Sequence, residues 1–221
     1  MSTRSALAAT TLRITEIFFS LQGETSRIGL PTVFVRLTGC PLRCGYCDTA
    51  YAFSGGENRS IAEILHQVSQ YKTNYVTVTG GEPLAQKACL ALLTALCDAH
   101  YSVSLETSGA LDLSHVDTRV SKIMDIKTPG SGEVAKNNWL NLAHLTPHDE
   151  VKFVLCDDAD YQWACELIRN RQLQRICPIL FSPVYESLDP ASLAAWILRD
   201  ELPVRMQIQL HKLLWGEGSG R

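Results

Sequence analysis

The sequence predicts an α/β fold in which parallel strands are covered by helices. Three observations carry that prediction. Segments rich in β-branched and aromatic residues alternate with helix-like segments along most of the 221 residues, the pattern of strands joined by helical crossovers. Hydrophobic residues make up 46% of the chain, enough for one sizeable core, and single barrel domains of roughly 200–250 residues are common. The chemically active residues fall at the C-terminal ends of the expected strands: Cys40 after "VFVRLTG", Gly80 after "YVTVT", Thr107 after "SVSLE" and Lys127 after "KIMDI". Active sites gather at that end in barrels and in doubly wound sheets alike. Periodicity does not separate the two architectures. No repeat, low-complexity stretch or linker interrupts the chain, so residues 1–221 are expected to form a single domain.

The elements follow in order. "RITEIFFSLQ" (13–22) and "PTVFVRLTG" (31–39) read as strands. "SIAEILHQVSQY" (60–71) reads as a helix, with Ser60 as N-cap and Glu63 completing a capping box. "NYVTVTGGEP" (74–83) is a strand running into a glycine turn, and "PLAQKACLALLTALCDAHY" (83–101) the helix after it. "SVSLETSG" (102–109) and "RVSKIMDIKTPG" (119–130) are strands, and residues 128–148 read as a long loop with a short helix. "DEVKFVLCD" (149–157) is a strand and "DADYQWACELIRNRQ" (158–172) a helix. The strand "ICPILFSPV" (176–184), the helix "DPASLAAWILRD" (189–200) and a last strand "PVRMQIQLH" (203–211) complete the chain.

Composition excludes several classes of function. Net charge is −3, from 20 basic and 23 acidic residues. No basic tail or like-charge run is present, which argues against a nucleic-acid or membrane partner. The N-terminal "MSTRSALAATTLRI" lacks the apolar core of a signal peptide, and no later segment approaches a membrane span. A cytoplasmic protein is expected.

Eight cysteines are present, too few in too long a chain for a disulfide scaffold. Cys40, Cys44 and Cys47 form a Cys-x3-Cys-x2-Cys cluster in "GCPLRCGYCDTAYAF" (39–53). Cys89, Cys97, Cys156, Cys165 and Cys177 stand apart and read as small core residues. Structural zinc calls for four ligands, usually as two pairs, and no second pair follows. A redox pair would need only Cys44 and Cys47. A four-iron cluster fits better: three thiolates hold three irons and leave the fourth iron open.

This spacing resembles the signature of the radical S-adenosylmethionine (SAM) superfamily. The resemblance implies that SAM takes the open iron, and that an electron from the reduced cluster cleaves it to methionine and a 5′-deoxyadenosyl radical. "TGGEP" (79–83) resembles the superfamily's methionine-binding motif, with Glu82 expected to accept from the SAM ammonium. The flanks are narrower in meaning. "FSLQGETSRIGLPTVFVRLTGCPLRCGYCDTAYAF" (19–53) closely resembles the 7-carboxy-7-deazaguanine synthase family of queuosine and deazapurine biosynthesis. The likeness continues through "VTVTGGEPLAQ", "SLETSG", "DIKTPGSGE", "VKFVL" and "PVRMQIQLHKLLW".

That resemblance implies an abbreviated partial (β/α) barrel of the radical SAM type and a homodimer. The implied reaction takes 6-carboxy-5,6,7,8-tetrahydropterin to 7-carboxy-7-deazaguanine with loss of ammonia. A 4Fe-4S cluster, SAM and Mg²⁺ are the implied cofactors, with flavodoxin as an example of the electron donor. Residue by residue, it assigns Cys40, Cys44 and Cys47 to the cluster and Thr49 to Mg²⁺. Tyr46, Cys47, Asp48, Gly81 and the triplet Asp125, Ile126, Lys127 are assigned to SAM, with Thr107 and Ser108 within reach of its ribose. Leu21, Gln22, Gly23, Arg36 and Thr79 are assigned to the pterin substrate, with Glu24 assisting at the pterin edge. Thr25 stands where some relatives carry glycine. Arg36 is the expected clamp for the substrate carboxylate, since a guanidinium grips a carboxylate by two parallel bonds; the plainer reading is a salt bridge. For Thr49 the plainer reading is a helix cap. His211 either enters the site or is structural. No residue is singled out as a catalytic acid or base. Two rivals share part of the pattern: a radical SAM activase acting on a protein, which needs neither Arg36 nor "SLQGE", and a zinc module with tRNA as partner, which needs a basic face.

Overall fold

The computed structural model describes residues 7–216. Its strands are β1 (Thr11–Leu21), β2 (Pro31–Leu37), β3 (Glu57–Ser60), β4 (Tyr75–Gly80), β5 (Ser102–Thr107), β6 (Ser121–Asp125), β7 (Glu150–Leu155), β8 (Ile179–Pro183) and β9 (Arg205–Met206). The helices that matter here are α1 (Ile61–Val68), α2 (Cys89–Asp98), α3 (Asp158–Arg171), α4 (Pro190–Arg199) and α5 (Leu210–Trp215). All nine strands join one sheet in the order β3-β1-β2-β4-β5-β6-β7-β8-β9. From β2 to β9 the neighbours run parallel. β1 is antiparallel to both β2 and β3. Strand order therefore follows chain order across the parallel part, as in an open barrel, without the reversal of a doubly wound sheet.

Helix starts follow local chemistry. Ser60 and Glu63 form the expected capping box on α1, which buries Ile61, Ile64 and Val68. Asp157 caps α3 through the Asp160 N–H. Asp189 caps α4, with Pro190 in its first turn. Two expectations are corrected, and one strand was not expected. The helix expected from residue 83 begins at Cys89, because Pro83–Ala85 forms a 3-10 turn and Gln86 is extended. The Gln86 side chain instead bonds the backbone of Arg13 and Thr38, stitching β1 and the end of β2 to this turn. The last strand shrinks to Arg205–Met206, since Gln207 turns to grip the Thr25 backbone and the chain then enters α5. β3 has no apolar alternation to announce it and pairs only at the sheet edge. The 128–148 loop contains three 3-10 turns, Pro129–Ser131, Val134–Lys136 and Trp139–His144.

The strands separate two environments. Val33, Val35 and Leu37 of β2, Val76 and Val78 of β4, Val103 and Leu105 of β5, and Val151, Phe153 and Leu155 of β7 share one apolar core with the buried faces of α1 to α4. Alternate residues on these strands and on β6, Phe34, Arg36, Thr79, Glu106, Asp125 and Lys152, line a cavity of about 590 Å³. Side chains alternate faces along a strand, so one backbone carries core and site together.

Candidate active site

β2 delivers the chain to the cysteine loop. Gly39 has φ +100°, a left-handed conformation that favours glycine. The loop is docked from several sides. Gly39 N–H donates to Ala52 O at 2.8 Å, Gly45 N–H to Ser131 O at 3.0 Å and Arg43 N–H to Glu133 Oε1 at 2.6 Å. Cys40, Cys44 and Cys47 are half-buried and line the cavity. Burial pushes the Cys40 and Cys44 thiols up, with Lys127 pulling the other way. Anionic sulfur is thus disfavoured there without a bound cation. Among the described residues no His, Cys, Asp or Glu trio converges as around a single metal ion. A four-iron cluster places each thiolate on its own corner, and three thiols facing one cavity suit that demand. Cys89, Cys97, Cys165 and Cys177 are buried in the core as expected. Cys156 is not: it is half-buried, with its backbone N–H on Asp160.

The glycine turn after β4 has a structural cause. A Cβ on Gly80 would stand 2.4 Å from Leu37 O, and one on Gly81 would stand 2.5 Å from Gly39 O and 2.7 Å from the Cys40 Cβ. The glycines let this turn lie directly on the backbone that carries Cys40. Glu82 is held by protein donors. It is fully buried and accepts from Leu84 N–H, Thr107 Oγ1, and both the N–H and Oγ of Ser108. Its carboxylate ties β4 to the end of β5. Thr107 and Ser108 line the cavity, although their hydroxyls already donate to Glu82.

The expected SAM residues Tyr46, Cys47, Asp48, Gly81, Asp125 and Lys127 all line the cavity. Ile126 does not: its side chain packs in the core and its N–H donates to Lys152 O. Burial pushes the Tyr46 phenol up. Burial also pushes Asp48 up, but Lys212, Lys152 and a Thr49 hydrogen bond outweigh it and hold its carboxyl below the usual range. Thr49 starts the 3-10 turn Ala50–Phe53 without a side-chain cap bond. Its hydroxyl donates instead to Asp48 Oδ1 at 3.2 Å.

Leu21, Gln22, Gly23, Arg36 and Thr79 meet on the other wall. Gln22 Nε2 donates to Thr77 Oγ1 and Glu106 Oε1, both at 3.2 Å. Thr79 Oγ1 donates to Glu106 Oε2 at 3.1 Å. Arg36 Nε bonds Glu16 at 2.6 Å, so the salt-bridge reading holds for one edge of the guanidinium while the residue still faces the cavity. Glu106 and Lys152 were not singled out in the sequence. Lys152 pairs with Glu24 and stands 3.4 Å from Asp125, which in turn pairs with Lys127 at 3.0 Å. Burial disfavours the Lys152 ammonium, but Asp125, Glu24 and Glu106 outweigh it and raise its pKa well above the ordinary lysine value. Glu106 is raised by burial. Three carboxyls and two ammonium groups thus share one water-poor wall. Their signal was a charge among polar residues on the alternate face of strands whose other face is apolar.

The C-terminal segment closes the ring of contacts. Gln209 Nε2 donates to Glu24 Oε1 at 2.8 Å, and Lys212 Nζ stands 3.5 Å from Asp48. His211 enters the cavity wall and lies where a Cβ on Gly23 would be, 2.3 Å from its Nδ1. Thr25 has φ +68°, which accounts for glycine being acceptable at that position.

Residues 34–174 match the Radical SAM superfamily. The 7-carboxy-7-deazaguanine synthase of Chlorobaculum tepidum is 49% identical over 207 residues, covering 92% of this chain and 94% of that one. That of Koribacter versatilis is 43% identical over 92% of this chain and 97% of that one. In fold, the chain is similar to crystalline QueE from Escherichia coli, with TM-score 0.77 and 22% identity over 95% of this chain and 99% of that one. Streptococcus suis SuiB bound to S-adenosylmethionine shares the fold more distantly, with TM-score 0.58 and 16% identity over 77% of this chain and 48% of that one. The likeness to both crystal structures is one of fold, an α/β partial barrel. The three thiols on the cavity wall, the glycine turn seated on Cys40 and the near-full-length relatives lead to one assignment: the chain belongs to the 7-carboxy-7-deazaguanine synthase family of radical SAM enzymes.

Proposed function

We propose that this enzyme converts 6-carboxy-5,6,7,8-tetrahydropterin to 7-carboxy-7-deazaguanine, with loss of ammonia, in queuosine and deazapurine biosynthesis. One observation carries the reading: the cysteine loop and the polar wall of Gln22, Arg36, Thr79 and Glu106 face the same cavity. A radical cofactor and a flat, carboxylate-bearing substrate fit that division. Cys40, Cys44 and Cys47 would hold the 4Fe-4S cluster. Tyr46, Asp48, Gly81, Asp125 and Lys127, with the backbone at Ile126, would surround SAM. When bound, the cluster and SAM supply a carbon-centred radical that removes a hydrogen atom from substrate.

The residues of this chain bind and orient. Arg36 receives the carboxylate. Leu21 and Gly23 flank the ring, while Gln22, Thr79 and Glu106 offer donors and acceptors for a pterin edge. Thr49 is proposed to give Mg²⁺ one oxygen. Its hydroxyl caps no turn and lies 3.2 Å from Asp48 Oδ1, and Mg²⁺ takes oxygen ligands while keeping several waters. The chain is further proposed to work as a single cytoplasmic domain in a homodimer, reduced by a flavodoxin-like donor. No helix among the described residues is long and apolar enough to cross a membrane.

The test is anaerobic incubation of reconstituted enzyme with SAM, reductant, Mg²⁺ and the carboxypterin, followed by mass analysis. A product with the mass of 7-carboxy-7-deazaguanine is expected, together with 5′-deoxyadenosine. SAM cleavage without that product in the presence of the carboxypterin would overturn the substrate assignment.

A further inference from the structure

β1 carries an irregularity whose effect falls on the cavity. Ile14 pairs with Leu37, but the next pairs are Glu16 with Arg36, Ile17 with Val35 and Phe18 with Phe34. Thr15 is one residue too many, a bulge in the ladder. The bulge exchanges faces for the rest of β1. Leu12 and Ile14 enter the apolar core before it, and Ile17 packs against that core after it. Phe18 then joins Phe34 and Arg36 on the cavity wall. Without the extra residue, Thr15 would stand opposite Arg36 and Glu16 would be opposite Val35. Bulges re-aim side chains beside functional sites, and here the re-aimed side chain is Glu16.

Glu16 Oε1 takes two donors, Arg36 Nε at 2.6 Å and Tyr51 Oη at 2.8 Å. The guanidinium carbon of Arg36 lies 5.7 Å from the Phe18 ring centroid and 5.8 Å from that of Tyr51. Phe18 is itself stacked on Phe34, at 4.9 Å between centroids. One edge of the guanidinium is therefore committed and its position fixed by two rings. The Nη pair makes no hydrogen bond among the described residues, on a side chain that lines the cavity. A carboxylate can dock side-on, through Nε and one Nη, or end-on, through both Nη atoms. Glu16 occupies the side-on edge and leaves the end-on fork.

We propose that Glu16 and Tyr51 are positioning residues for Arg36, aiming its Nη fork at the substrate carboxylate. The proposal rests on the reading that Arg36 binds that carboxylate. Tyr51 lies in the turn directly after the cysteine loop, so its hydrogen bond ties the clamp to the loop that carries the cluster ligands. Substrate orientation relative to the radical source passes through that bond. Glu16 also opposes a second carboxylate electrostatically. Removing its charge therefore relieves repulsion while loosening the fork, so the loss falls on alignment rather than on affinity. Small misalignments of reacting atoms can cost about a hundredfold.

The test compares wild type, Arg36→Ala, Glu16→Gln, Tyr51→Phe and the Glu16→Gln/Arg36→Ala double variant as cluster-loaded enzymes. Product per 5′-deoxyadenosine, kcat and KM are measured, and carboxypterin binding is followed by calorimetry. Arg36→Ala is expected to weaken carboxypterin binding and raise KM by about tenfold or more. Glu16→Gln and Tyr51→Phe are expected to keep KM and Kd within about threefold while product per 5′-deoxyadenosine falls about tenfold. The double variant should be no worse than Arg36→Ala alone. If Arg36→Ala binds carboxypterin as wild type does, the carboxylate reading fails and takes the proposal with it. If Arg36→Ala weakens binding while the other two remain fully coupled, only the positioning proposal fails. Should Glu16→Gln prove unstable, Tyr51→Phe decides, since it keeps the ring and removes only the bond to Glu16.

Discussion

On β5, Val103 and Leu105 face the helices, while Ser104 and Glu106 face the other way. The same division runs through β2, β4 and β7. The helix side is apolar and its residues are in part interchangeable, each large aliphatic contributing about 1.5–3 kcal/mol by burial. The cavity side holds Glu24, Glu106, Asp125, Lys127 and Lys152 in one network. Buried charges cost stability unless they are well paired. A parallel sheet covered on both faces reads as continuous apolar runs. "VTVT", "SVSLE" and "VKFV" alternate instead, which marks one face as a cavity wall. Stability and chemistry are therefore carried by alternate residues of the same strands and can be perturbed separately.

The largest separation is expected between two cysteines. Cys47→Ala, on the cavity side, should lose bound iron and all SAM cleavage. Cys89→Ala, in the core, should keep full iron content and lose about 1 kcal/mol of stability, as a typical core substitution does. Iron and sulfide analysis with anaerobic SAM turnover measures both. A Cys47→Ala protein that retains iron and activity removes the cluster assignment.

Adjacent residues on β5 give the next largest contrast. Leu105→Ala should cost about 2–5 kcal/mol, since it opens a cavity in a packed core. Glu106→Gln should leave most of the stability in place and reduce product formation. It should also change the pH dependence of stability. Burial raises the folded pKa of Glu106 above the ordinary glutamate value of 4.5. Above that value the unfolded chain has released a proton that the folded protein still holds. Stability from this group is therefore complete below the ordinary value and declines as pH rises toward the folded pKa. Urea unfolding across that window should show wild type losing stability relative to Glu106→Gln as pH rises. A pH-independent difference would show that Glu106 is ionised in the folded protein throughout.

Local signals were legible in the sequence, and signals that depend on packing were not. The cysteine spacing, the Ser60–Glu63 capping box and the glycine turn each lie within a few residues, and the structure realises all three. The protein partners of Glu82 could not be read from its motif, because Thr107 and Ser108 arrive from another strand. Glu106 and Lys152 meet only after β5, β6 and β7 align. The α2 start was displaced by Gln86, whose bonds to β1 cannot be seen from helix propensity. The β1 bulge leaves a trace, the change of apolar parity from Leu12 and Ile14 to Ile17, but one shifted residue is a weak mark.

Thr49 tests whether the cavity side extends to a metal. Thr49→Ala should keep the cluster and SAM binding, and its product formation should fall and respond less to added Mg²⁺. A residue acting only through its hydrogen bond to Asp48 would instead leave the Mg²⁺ dependence unchanged. A Mg²⁺ titration of activity beside a thermal melt separates the two, and an unchanged titration counts against the metal role.

The smallest effect is expected at Thr25, where the loop of the substrate wall carries strain. Its φ of +68° places a β-branched residue in the left-handed region, which costs about 1–2 kcal/mol for residues with a Cβ. Gln207 holds it there, accepting from the Thr25 N–H at 2.7 Å and donating to the Thr25 carbonyl at 2.6 Å. Thr25→Gly relieves the strain, but it loosens the unfolded chain by about 0.5–1 kcal/mol and removes the acceptor for the Arg27 N–H. The terms oppose one another, so Thr25→Gly should lie within about 1 kcal/mol of wild type. Thr25→Val keeps the branched Cβ and loses the same acceptor, so it should be less stable than Thr25→Gly by the strain energy less the glycine cost, up to about 1.5 kcal/mol. Urea midpoints of the two variants measure that difference directly. If Thr25→Val is the more stable of the two, the strain at this residue is smaller than the unfolded-state cost of glycine, and the loop stores less conformational energy than its φ implies.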